Sequence, residues 1–134
     1  MIFTDAELKY LVDQHLGRLA TIDPTGAPQV NPVTFLINLD TGTIDIGGPA
    51  FTQSRKFRNV QRDARVSFVI DDEMETPNAL GQRGRGIEVR GRAELVELDP
   101  PMLAVFDRET IRIHPRRIVA WNIEGVSYNS RDVI

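Results

Sequence analysis

Hydrophobic positions alternate with polar ones at period two over most of this chain, and only two stretches break into helical spacing. Ile87, Val89, Gly91, Ala93 and Leu95 stand against Glu88, Arg90, Arg92 and Glu94, the longest such alternation, and predict a strand. Val66, Phe68 and Ile70 against Arg65 and Ser67 predict another over 65–70. Ile44 and Ile46 against Thr43 and Asp45 predict a third over 43–47. Residues 18–23 and 29–38 flank the turn sequence Pro24, Thr25, Gly26 and read as a hairpin. Pro28 and Pro32 cannot donate ladder hydrogen bonds, so the second of these strands is expected at an edge or a bulge, at least locally. The turn at 40–42 makes 43–47 the third neighbour of a meander. A last strand is predicted over 118–123, preceded by IRIHPRR, in which Pro115 keeps His114 extended.

The first helical stretch starts at Thr4, three residues before Glu7, the spacing of a capping box, with Phe3 and Leu8 placed as a hydrophobic staple. Leu8, Leu11 and Val12 share a face, and Gly17 is the expected stop after about three turns. His15 reads as a helix-end residue. The second helix starts after Ser54, a natural N-cap. Residues 71–86 hold acids, a Pro-Asn pair and GQRGRG and read as a mobile loop or a disordered one, while 102–106 reads as a short helix or irregular turn. Six or so short strands at hairpin spacing with two helices predict a mostly β fold, a closed or nearly closed antiparallel barrel. GQRGRG lacks the spacing and the following helix of a dinucleotide fingerprint.

Composition narrows the function. A chain of 134 residues with 41% hydrophobic content is one domain, 1–134, large enough for a core but small for enclosing a ring-sized ligand unless a second copy shares the walls. A formal net charge of -3 argues against nucleic acid, and no apolar run reaches membrane-spanning length. The start MIFTDAELKY carries acids where a secretory signal needs basic residues, so a cytoplasmic location is expected. With no cysteine, and His15 and His114 far apart, no metal site is expected.

Candidate chemistry concentrates in residues 43–62, TIDIGGPAFTQSRKFRNVQR. A short strand runs into Gly47, Gly48 and Pro49, which end the ladder and admit a close approach, and then into a helix whose first turn carries Arg55, Lys56 and Arg58. Free amides and the helix dipole favour an anion at such an end, and cations there suit a phosphate between them. A solvated basic helix accounts for the same residues equally well.

The segments LGRLATIDPTGAPQVNPV, TIDIGGPAFTQSRKFRNVQRDARVSFVIDD and IRIHPRRIVAW together resemble the pyridoxamine 5'-phosphate oxidase-like split β-barrel proteins over most of the chain. The length and the IHPRRIVAW ending resemble the small reductases that use the deazaflavin coenzyme F420, which include a branch linked to tetracycline-type antibiotic biosynthesis. The resemblance implies a six- to seven-stranded antiparallel split β-barrel of FMN-binding-like type. It also implies a homodimer with two cofactor sites at the subunit interface. Ser54, Arg55, Lys56 and Asn59 match positions that hold the cofactor phosphate in the family, and Asn31, Pro32, Val33, Ile46, Gly47 and Gly48 match those that lie against the ring.

On this resemblance the expected activity is hydride transfer from reduced coenzyme F420 to an electron-poor double bond of an enone or quinone-like substrate, with FMN as the alternative cofactor. No catalytic side chain is selected. His114, Tyr128 or water are equal candidates for the proton, and Trp121 suits a ring wall or an ordinary core position. The acidic tail of coenzyme F420 favours extra cations, and the chain has 14 arginines, of which Arg83, Arg85, Arg112, Arg116 and Arg117 are candidates, though genomic base composition explains the count as well. An FMN-dependent oxidase or reductase, and a barrel that binds flavin or haem without turnover, remain as alternative readings.

Overall fold

The computed structural model describes residues 2–133. Its elements run α1 (Asp5–Val12), β1 (Leu16–Ile22), β2 (Pro28–Ile37), β3 (Ile44–Ile46), a single 3-10 turn (Phe51–Gln53), α2 (Arg55–Arg62), β4 (Arg65–Glu73), β5 (Gly84–Glu97), β6 (Glu109–Trp121) and β7 (Tyr128–Asp132). The sheet order is β3-β2-β1-β4-β5-β6-β7, all antiparallel, and β3 pairs with β6 as well. That last pairing closes six strands into a barrel and leaves β7 outside it. Leu19, Phe35, Ile44, Ile46, Phe68, Ile70, Ile87, Val89, Ile111, Ile113 and Ile118 are buried together in the core cluster.

Local rules explain both helices. In α1 the Thr4 hydroxyl accepts from the Glu7 amide at 3.1 Å and Glu7 Oε1 accepts from the Thr4 amide at 3.0 Å, the expected capping box. Glu7 is buried all the same, and its carboxylate is met by Arg131 of β7 at 2.5 and 3.0 Å. Arg131 also donates to the Ile2 carbonyl at 2.8 Å, so one guanidinium joins both ends of the chain. A second linkage runs from Tyr10, whose hydroxyl donates to Asp72 at 2.9 Å while Arg85 grips the same carboxylate at 2.8 and 3.0 Å. Burial, with Asp72 adding to it, pushes the Tyr10 phenol well above the ordinary tyrosine range.

Four sequence expectations change. Gly17 does not stop α1, which ends at Val12 with Asp13 as its cap. Gly17 instead lies inside β1 because a Cβ there would stand 2.1 Å from the ring of Phe68. Residues 71–86 are not a free loop: β4 and β5 continue through Glu73 and Gly84, and Asn78 closes the turn by accepting from the amides of Leu80 and Gln82. His114 and Pro115 lie within β6 rather than before a strand. Arg90 pairs with Arg117 and Gly91 with Pro115, so Arg116 is the extra residue of a bulge. A Cβ on Gly91 would sit 2.4 Å from the His114 carbonyl oxygen. Finally, β7 has mixed, mostly exposed residues without alternation and was not expected.

The edge expectation for β2 holds in half the strand. Residues 28–34 pair only with β1, and residues 35–37 pair with β3. No helix among the described residues is long and apolar enough to cross a membrane.

Candidate functional site

The site residues meet where β3 leaves β2. The last pair of that ladder is Phe35 with Ile46, so Val33 and Thr34 on one side and Gly47 and Gly48 on the other form a fork. Asn31 and Pro32 follow Val33 along the unpaired edge of β2, both exposed. Val33 and Ile46 point into the core, 5% and 0% exposed, so only their backbone groups can face a ligand. Gly47 is buried for a separate reason: Phe106 and Met102 lie 3.1 and 3.2 Å from where its Cβ would be.

The chain then turns through Ala50, in the left-handed region at φ 49°, into the 3-10 turn and α2. Asp107 pins this turn, its carboxylate accepting from the Phe51 amide at 2.7 Å and its own amide donating to the Gly48 carbonyl at 3.0 Å. Ser54 caps α2 as expected. Its hydroxyl accepts from the Phe57 amide at 3.3 Å and donates to the Phe51 carbonyl at 2.6 Å, while its carbonyl takes the Arg58 amide. Among the described residues the amides of Arg55 and Lys56 have no acceptor, and neither side chain makes a hydrogen bond or an ion pair. Two unpaired amides and two unpaired cations therefore lie in the first turn of α2, the kinds of donor a phosphate needs. The Lys56 ammonium lies 5.8 Å from the Phe51 ring centre.

Asn59 has a different setting. It is 3% exposed, and its amide nitrogen donates to Thr21 at 3.0 Å and to Gln29 at 2.8 Å, which ties α2 to β1 and β2. Both of its donor hydrogens are thus used within the protein. Ser54 caps the helix start and Asn59 anchors the middle of α2, while Arg55 and Lys56 face outward from its first turn.

Other candidates lie apart from the fork. His114 is at the opposite end of β3, on the outer face, with Nε2 2.9 Å from Glu94. Trp121 pairs with Gly86 and Tyr128 in the half of β6 that carries β7, eight residues beyond the β3 ladder or roughly 26 Å along a strand. Of the arginines considered for an acidic tail, Arg85 pairs with Asp72, Arg112 with Asp45 and Arg117 with Asp132, and Arg83 donates to the Met74 carbonyl. Arg116 is exposed and unpaired among the described residues. The residues missed by the sequence reading are Asp107 and Gln29, because a loop aspartate and a strand glutamine carry no local pattern that reveals a partner 56 or 30 residues away.

Comparison with known proteins gives the family and the fold. The chain matches the pyridoxamine 5'-phosphate oxidase family over residues 3–130. It is 41% identical, over 99% of its own length and 94% of the relative's, to a 5a,11a-dehydrotetracycline/5a,11a-dehydrooxytetracycline reductase of Streptomyces rimosus. Among solved structures, a conserved hypothetical protein from Mycobacterium tuberculosis superposes with a TM-score of 0.71 at 24% identity, covering 92% of this chain and 88% of that one. A protein described as an F420 reductase superposes with a TM-score of 0.55 at 23% identity, covering 78% and 88%. These two structural likenesses speak to the fold.

Proposed function

The chain belongs to the pyridoxamine 5'-phosphate oxidase family, and from that premise we propose that it is an oxidoreductase, a reductase that uses coenzyme F420 to saturate an electron-poor double bond in a fused-ring enone. The observation that carries this reading is the 41% identity to a dehydrotetracycline reductase across 99% of the chain. The unpaired amides and cations at the start of α2 support a phosphate-bearing cofactor. They serve FMN equally, and the arginines offered for an acidic tail are mostly engaged elsewhere, so the preference for the deazaflavin rests on the resemblance to the small deazaflavin-dependent reductases.

Bound at this site, reduced coenzyme F420 would be the source of a hydride, two electrons with one proton, for the electron-poor carbon. The protein does the rest by placement. Arg55 and Lys56, with their own amides, would hold the phosphate. The free edge of β2 at Asn31, Pro32 and Val33, with Gly47 and Gly48 opposite, offers backbone groups to the edge of a flat ring. The second proton needed by the reduced product is assigned to water, since neither His114 nor Tyr128 of the same protomer reaches the fork.

A homodimer is part of the same proposal. The fork is open on one side, and the outer faces of β1 and β2 carry exposed Leu16, Val30 and Leu36, 57%, 63% and 52% exposed, next to Pro32 and Ala20. Apolar side chains grouped on one sheet face suit burial against a second copy, which would also wall the ring.

The test offers purified protein both coenzyme F420 and FMN, measures affinity by fluorescence quenching, and follows reduction of an enone under anaerobic conditions, with sedimentation run on the same sample. Tighter binding of coenzyme F420, turnover with its reduced form and twice the chain mass are expected. Lys56→Ala should weaken cofactor binding by about 1.5–3 kcal/mol, the range for losing a charge-assisted hydrogen bond, with little change in stability because Lys56 makes no hydrogen bond or ion pair and only a distant contact with the Phe51 ring. Tighter FMN binding with no turnover from the deazaflavin would sink the cofactor assignment.

A further inference from the structure

We propose that Asp107, in the connection between β5 and β6, is a positioning residue of the cofactor site: it fixes the start of α2 relative to Gly47 and Gly48, so that a ligand meeting both depends on it without touching it. What that ligand is rests on the reductase reading above, whereas the clamp is read from contacts. The Asp107 carboxylate accepts from the Phe51 amide at 2.7 Å and from the Thr52 amide at 3.4 Å, and its own amide donates to the Gly48 carbonyl at 3.0 Å. One residue thus holds the chain on both sides of Pro49 and Ala50. From Phe51 the linkage reaches the helix. The Phe51 carbonyl accepts from the Ser54 amide at 3.0 Å and from the Ser54 hydroxyl at 2.6 Å, and that hydroxyl in turn accepts from the Phe57 amide at 3.3 Å. The Phe51 ring is buried, packs edge-on to Phe57 with centres 5.6 Å apart, and lies 3.3 Å from where a Cβ on Gly48 would be.

Two observations mark this turn as held in place rather than relaxed. Ala50 is in the left-handed region at φ 49°, which a residue with a Cβ keeps only where its surroundings impose it. The second is the sign of the charge. Asp107 is an acid bonded to a turn that leads into the unpaired cations Arg55 and Lys56, and by charge alone a carboxylate near a phosphate site weakens binding. Charge and geometry therefore predict opposite results. If the charge of Asp107 is what counts, removing it tightens phosphate binding. If its acceptor oxygen is what counts, removing it frees Phe51, lets Ser54 and the first turn of α2 drift from the glycines, and weakens binding of a ligand that spans them. Asn59 still ties the middle of α2 to β1 and β2, so the drift is confined to the first turn.

The test compares Asp107→Ala and Asp107→Asn with the parent protein, measuring affinity for coenzyme F420 and FMN by fluorescence quenching at a temperature where near-UV circular dichroism shows each variant folded. Asparagine keeps an oxygen for the Phe51 amide and removes the charge. Affinity for whichever cofactor the parent binds more tightly should fall on the order of tenfold in Asp107→Ala and stay within about twofold of the parent in Asp107→Asn. In cofactor-free protein the Ser54 and Phe57 amides should exchange with solvent faster in Asp107→Ala, with those of β4 and β5 unchanged. Where the alanine variant folds poorly, Asp107→Glu takes its place, since it keeps the charge and displaces the acceptor by one methylene, and it should show the same weakening. Parental or tighter affinity in Asp107→Ala, or in Asp107→Glu where that stands in for it, overturns the proposal. So does an equal loss in Asp107→Asn, and so does lower stability with unchanged affinity, which is all that a merely structural hydrogen bond would produce. Faster exchange at Ser54 and Phe57 in Asp107→Ala, with a parent that binds neither cofactor, keeps the clamp and removes the cofactor reading.

Discussion

Arg131→Ala is expected to destabilise the protein by about 3–5 kcal/mol, a large part of the stability of a domain this size. The Glu7 side chain is 5% exposed, and its carboxylate is balanced by Arg131 at 2.5 and 3.0 Å. Truncating the arginine leaves a buried negative charge whose remaining partner is the Thr4 amide. The effect should exceed simple loss of an ion pair, because the same guanidinium bonds the Ile2 carbonyl and fastens β7 to α1. Urea denaturation at fixed protein concentration measures it. Glu7→Gln combined with Arg131→Met should recover most of the loss, since glutamine still completes a capping box and no charge stays buried. A double variant as unstable as Arg131→Ala would show that the packing of β7, not the charge, is at stake.

Phe68→Ala carries the other large effect, again about 3–5 kcal/mol. The Phe68 side chain is fully buried and meets Phe35 edge-on with ring centres 5.3 Å apart. It also fills the space that Gly17 leaves open. Gly17→Ala alone should cost about 1–3 kcal/mol by overpacking, but close to nothing in the Phe68→Ala background, where the clash is gone. A double-mutant cycle in urea then reads a coupling of about 0.5–3 kcal/mol between the two sites. Additive effects would mean that Gly17 is present for its backbone rather than for the ring.

Gly17 also shows where sequence reading ends. After an apolar-periodic helix, a glycine is most economically read as a stop, and nothing local says that a phenylalanine 51 positions later needs its space. The strands with clean alternation, over 65–70 and 87–95, were legible because one face of each is core and the other solvent, and so was the barrel built from them. β6 was legible only at its end: the bulge at Arg116 shifts the inward face by one residue, so no single period-two register runs through it. β7 lies outside the barrel and has no core face to impose a pattern.

The site divides in the same way. The Ser54 cap and the basic first turn of α2 are contiguous in sequence and were read directly. The fork is not contiguous. Its two sides come together through the Phe35–Ile46 pair, and its floor is set by Asp107. The resemblance puts Asn59 among the phosphate residues, and in the structure its amide nitrogen also donates to Thr21 and Gln29. That role is visible only once α2 is laid across β1 and β2.

The three-residue strand β3 is the keystone of the barrel's circumference. Its ladder to β6 and the Asp45–Arg112 ion pair join residues 67 positions apart, so the chain must confine a long loop before this seam rewards it. Few hydrogen bonds hold the seam, so the local hairpins are expected to form before the cylinder locks. The same short seam is expected to open more readily than the long β4–β5 ladder, so the amides that bond across it should exchange with solvent before those of β4 and β5. Parting there would widen the fork without unfolding the rest and would leave the start of α2 undisturbed.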